Sequence, residues 1–197
     1  MQLLNLNNFD LCLSSFRRHF DLTARLPEIV FKANNRNKFV IGESGDFHKM
    51  EVFARLGAEY YETELNYFMI EPKAKDIFQT ENEFLAYVLP FGSEFETAWK
   101  DELFGFAQPQ NKVKSWPWMI AGLQCYFGSS GKWNSYHDNH TFELDIFSVP
   151  NDCDVLKVFG KPSWRLEDYI EAVDLHNIGV DAADIRKLQK YYFDFTG

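Results

Sequence analysis

The chain has 197 residues and a formal net charge of −9, with 46% hydrophobic and 17% aromatic residues, 20 of them Phe. Its length suits one domain, or one domain with a small helical appendage, and so much apolar material excludes long disorder. The charge also excludes a phosphate-backbone binder, which needs clustered Lys and Arg.

The N-terminal stretch Met1 to Leu6 has no leading Lys or Arg, and Asn7, Asn8 and Asp10 follow at once, so no signal peptide is expected. No apolar run approaches the roughly 18 residues that span a bilayer. Cys12, Cys125 and Cys153 are odd in number and widely separated. That pattern fits a reducing compartment better than a disulfide framework, and the expected location is cytoplasmic.

Phe9, Leu13, Phe16 and Phe20 repeat at helical spacing, with Arg17 and Arg18 on the other face. Ile29-Val30-Phe31 and Phe39-Val40-Ile41 are β-like runs around Asn34 to Asn37, which predicts a hairpin. A helix is expected from Phe47 to Leu56, ended by Gly57. Leu65 to Ile70 reads as a strand stopped by Pro72. Thr80-x-x-Glu83 and Ser93-x-x-Glu96 are capping boxes. The first opens a predicted helix through Phe84, Leu85 and Val88; the second opens one striped by Phe95, Trp99, Leu103 and Phe106.

From Trp116 onward the pattern turns to strands. Leu123 to Phe127 and Trp133 to Tyr136 form a predicted hairpin about Gly128-Ser129-Ser130-Gly131. Thr141 to Val149 alternates, with Phe142, Leu144 and Ile146 on one face and Thr141, Glu143 and Asp145 on the other. Val155 to Phe159 adds a last predicted strand. Ser163 then caps a helix with Leu166, Ile170 and Val173 inward, and Asp181 opens a final helix with Ile185, Leu188 and Tyr192 inward. The expected fold is α+β: an antiparallel sheet, mainly from the C-terminal half, flanked by segregated short helices. It forms a single domain over residues 1–197, with 163–197 a helical pair packed on it.

Tyr136-His137-Asp138-Asn139-His140 is the one dense group of acid–base or metal-ligating side chains. No second His or Cys cluster at standard spacing completes a ligand set, so a solvated turn is the plainer expectation. Gly128-Ser129-Ser130-Gly131-Lys132 fails the phosphate-loop pattern, with Tyr126 where Gly is required and Trp133 where Ser or Thr is required. Gly42-Glu43-Ser44-Gly45 fails the nucleophile elbow. No calcium-loop spacing occurs. Cys153, between Asp152 and Asp154, is placed where negative charge disfavours a thiolate.

Charge is distributed unevenly. Between Glu59 and Glu102 eleven carboxylates face three lysines, a net −8, while the remaining residues nearly cancel. Clustered charge steers partners of opposite sign. The leading expectation is therefore a protein-binding module, of the inhibitor or immunity type. It would present Glu94, Asp101 and Glu102, with Trp116 and Trp118 as aromatic anchors, to a protein with a basic surface. Direct nucleic-acid binding, membrane association and cofactors are not expected. The alternative is a small hydrolase or metal-dependent enzyme using His137, Asp138 and His140. A third reading is a regulatory subunit whose aromatic surface is an oligomer interface.

Overall fold

A computed structural model describes residues 14–21, 23–32, 37–69, 86–99, 123–139, 141–175 and 177–194. Six strands form one sheet: β1 (Asn37–Glu43), β2 (Glu64–Met69), β3 (Ala86–Pro90), β4 (Leu123–Gly128), β5 (Asn134–Asp138) and β6 (Leu144–Pro150). Their order across the sheet is β1-β6-β5-β4-β2-β3, and every neighbouring pair is antiparallel. The described helices are α1 (residues 14–19), α2 (Met50–Tyr60), α3 (Phe95–Ala98), α4 (Val155–Phe159), α5 (Leu166–Ala172) and α6 (Ala182–Leu188). The π turn Gln189–Phe193 continues α6. The α+β expectation holds, and the sheet takes three strands from each half of the chain.

Both faces of the sheet are covered. On one, Val40, Leu65, Tyr67, Tyr126, Trp133, Phe147 and Val149 pack against Val52, Phe53 and Leu56 of α2, Phe95 before Trp99, and Val158 and Phe159 of α4. On the other, Ile41, Cys125, Phe127, Tyr136, Leu144 and Ile146 meet Phe16 and Phe20, Tyr169 of α5, Leu188 of α6 and Tyr192. Burying each large apolar side chain contributes roughly 1.5–3 kcal/mol, so these two layers supply the main driving force. The consequence for function is that β5 is buried along its whole length. Polarity on that strand is therefore not a sign of solvent.

Several elements depart from the sequence expectation, each for a tertiary reason. Phe39 to Ile41 lie in β1, but β1 pairs with β6, while Phe31 makes an isolated bridge to Phe20. The outer edge of β1 is closed by residues 163–164: Ser163 Oγ accepts from Ile41 N, and Trp164 N donates to Ile41 O. Such cover blunts an exposed edge. It also employs Ser163, so Arg165 takes the N-cap position of α5. There Tyr169 and Val173 point inward, and Ile170 is exposed.

α2 runs through Gly57 to Tyr60, and Tyr61, at φ 55, takes the left-handed cap. Gly57 serves close packing instead, since a Cβ there would lie 2.7 Å from the Phe91 ring. Val88 sits in β3 opposite Asn66, where ladder pairing overrides the helical reading. Residues 155–159 are helical: Asp154 caps them by accepting from Lys157 N, and Gly160 ends them at φ 78. The final helix begins as expected, with Asp181 accepting from Ala183 N and Asp184 N. Among the described residues no helix is long and apolar enough to cross a membrane.

Candidate functional site

Register brings the site together. His137 on β5 stands directly opposite Gln124 on β4 and Asp145 on β6, so the three form a row across the middle of the sheet. Facing residues on adjacent strands have Cβ atoms about 4.5–5.5 Å apart. Because side chains alternate along a strand, this row and Ser135, two residues before His137, share the face that carries Tyr126 and Phe147.

His48 arrives over the row from the turn before α2. Asp145 holds it there: its Oδ2 accepts from Phe47 N at 2.9 Å and from His48 N at 3.2 Å. The His48 ring is then fixed among Phe53, Tyr126, Phe147 and His137, with centroid separations of 5.6, 5.1, 5.0 and 4.7 Å. One carboxylate oxygen thus positions the backbone, and the other faces the imidazoles. His137 Nδ1 makes a short hydrogen bond to Asp145 Oδ1. His48 Nδ1 lies 2.8 Å from the same oxygen, off the line of a hydrogen bond, and has no aligned partner. One potential ligand atom from each of His48, His137 and Asp145 falls within a common 4.8 Å.

The groups are nearly dry. Asp145 and Ser135 are fully buried, and the side chains of His48 and His137 are 5% and 9% exposed. Burial pushes the His48 imidazole pKa down, against the opposing pull of Asp145 and with a further push from His137. Burial alone would raise the Asp145 carboxyl, but the two imidazoles outweigh it and hold the group well below the usual carboxylate range. A neutral His48 beside an ionised Asp145 leaves the carboxylate without a full opposite charge from that ring.

On its other side His48 presents Nε2 to Ser135 Oγ at 3.1 Å. Ser135, His48 and Asp145 thus follow the order of a nucleophilic relay. That chemistry needs a hydroxyl that reaches substrate, and Ser135 is sealed within the core. The relay is closed, which leaves the converging nitrogen and oxygen atoms as the chemically open feature.

Of the residues singled out in the sequence, His137 belongs to this site, and it is a buried strand residue where a solvated turn was expected. Asp138 does not join it. Alternation turns its side chain to the opposite face, where Oδ1 accepts from Thr141 N at 2.8 Å and shapes the turn into β6. His140, Asp101, Glu102, Trp116 and Trp118 lie outside the described residues. Glu94 is exposed next to α3. Two other acids of the charged stretch serve internal roles. Glu59 pairs with Lys157 at 2.5 Å, and buried Glu62 accepts from Ser129 Oγ and from Ser130 N and Oγ. Burial pushes the Cys153 thiol up, in keeping with an inert cysteine.

His48 and Asp145 were missed. They stand 97 residues apart, so no local spacing relates them. The available signal was one carboxylate in the middle of the apolar run Leu144 to Val149. Comparison with protein families, with curated proteins and with solved structures finds no match, so the functional reading rests on the geometry of this chain.

Proposed function

We propose that His48, His137 and Asp145 form a binding centre for one divalent transition-metal ion. The observation that carries this reading is the convergence, within 4.8 Å, of three ligand atoms from three separate elements on a buried carboxylate. Among the described residues the groups facing that carboxylate are two imidazoles and two backbone amides. A buried charge needs compensation, and a cation between the three atoms supplies it. His48, neutral at neutral pH, has no surplus proton for the ion to displace.

Two imidazole nitrogens and one carboxylate oxygen suit a borderline ion such as Zn2+ or Fe2+, whereas Mg2+ and Ca2+ favour oxygen donors. Ligands about 2.0–2.2 Å from a tetrahedral ion stand about 3.3–3.6 Å from one another. On loading, the 2.8 Å approach of His48 to Asp145 would widen by roughly half an ångström or more, and the widest ligand pair, within 4.8 Å, would draw together. With His48, His137 and Asp145 as its protein ligands, such an ion would keep a coordination position for water and would lower that water's pKa. The burial that closes Ser135 to substrate closes these ligand atoms as well, so the reading is ion binding. Of the residues behind the acidic-surface reading the structure describes Glu94 alone, so the buried centre carries the proposal.

Metal analysis and zinc titration of the untagged full chain test it. The expected result is one ion per chain, with Zn2+ at about 100 times its Kd adding about 2.7 kcal/mol of stability. His137→Ala is expected to abolish both. A wild-type chain that purifies without metal and melts at the same temperature in excess Zn2+, Fe2+ or Mn2+ would sink the reading.

A further inference from the structure

The geometry points to Ser135 as the positioning residue of this centre: by its hydrogen bond at Nε2 it sets which nitrogen of His48 carries the proton when an ion is bound. The inference rests on the metal reading and assigns a role to the residue that contacts His48 away from the ligand atoms. Strand β5 delivers both parts, because Ser135 and His137 lie two apart on one face. His137 meets Asp145 Oδ1, and Ser135 Oγ lies 3.1 Å from His48 Nε2, so Nδ1 is the nitrogen left toward Asp145.

A neutral imidazole carries one proton on one of its two nitrogens. With no ion bound, that proton on Nδ1 faces the carboxylate, and the Ser135 hydroxyl donates to Nε2. When an ion takes the Nδ1 lone pair, the proton relocates to Nε2, which then donates to Ser135 Oγ. No proton leaves the pair. A hydroxyl serves both states because it is donor and acceptor and rotates between the roles. Ser135 is fully buried, so bulk water is not at hand to replace it. Ring packing from Phe53, Tyr126 and Phe147 holds His48 in place independently. Ser135→Ala therefore deletes the hydrogen bond while leaving the ring where it is.

The experiment is a chelator-competition titration with Zn2+ on the full chain, for wild type, Ser135→Ala and His137→Ala. Nitrogen-15 spectra of the His48 ring, with and without Zn2+, accompany it. The expected result is that His137→Ala abolishes binding and Ser135→Ala weakens it 10–100-fold, the usual effect of losing a hydrogen bond that orients a ligating imidazole. In loaded wild type, His48 carries its proton on Nε2 and the ion on Nδ1. Wild-type affinity in Ser135→Ala, with binding lost in His137→Ala, overturns this role and leaves the metal centre standing. Loaded wild type with the ion on Nε2 also overturns it, even if Ser135→Ala does not fold. Failure of wild type to bind Zn2+ removes the centre and this role together.

Discussion

On the face of the sheet covered by α1, α5 and α6, the hydroxyls of Tyr169 and Tyr192 close private ties between elements. Tyr169 OH donates to Phe142 O at 2.9 Å, joining α5 to the loop before β6. Tyr192 OH donates to Glu28 O at 2.6 Å and accepts from Val30 N at 3.0 Å, pinning the chain's end to residues 28–30. On the face covered by α2, polar groups from β5, β6 and the turn before α2 converge on one carboxylate. A tie satisfies its members and is finished. A convergence concentrates charge and lone pairs in one place, which is how a core becomes a site.

The sharpest way to break this contrast is Asp145→Ala. It leaves Phe47 N, His48 N and the His137 imidazole without their acceptor in a dry environment. Removing one member of a buried charged network costs about 3–5 kcal/mol, and denaturant unfolding of the metal-free protein should show a loss in that range. Tyr192→Phe is the matching change on the other face. It strips one tie and leaves Val30 N unpaired, at a cost of about 1–3 kcal/mol. If Asp145→Ala costs no more than Tyr192→Phe, convergence has no special energetic weight and Asp145 is another tie.

The same contrast explains what was legible in the sequence. The alternation Leu144, Ile146 and the hairpin about Gly128 to Gly131 were plain, because each is a local pattern with a local cause. The apolar members of that alternation were assigned correctly to one core face. The opposite, polar assignment failed at Asp145 because a second layer of helices covers that face too, and alternation reports only that two faces differ. His137 was found as a residue type and placed in the wrong company. Its partners were sought in Asp138 and His140, yet antiparallel register gives it Asp145, and the turn before α2 gives it His48. Likewise Val155 to Phe159 is apolar enough for a strand, and the cap by Asp154 together with packing of Val158 and Phe159 below the sheet decides for helix. Pairing between distant segments is the information a single chain withholds.

The smallest effect expected concerns His19, the imidazole of the other face. It stacks on Phe127 with centroids 4.4 Å apart. Partial burial, followed by the charge of Arg18, pushes its pKa below the ordinary value. A folded value below the unfolded one means that the unfolded chain binds the extra proton first as pH falls. The stability tied to neutral His19 is therefore complete above about pH 6.5, the unfolded value, and drains away as pH drops through the folded value. Melting temperatures of wild type and His19→Gln between pH 7.5 and 5.5 isolate this contribution. The variant's slope should be shallower, by at most one proton's worth. Equal slopes would mean that the exposed part of the ring leaves its titration unchanged by folding. His19 would then stand apart from His48, whose imidazole the other face has closed off from water.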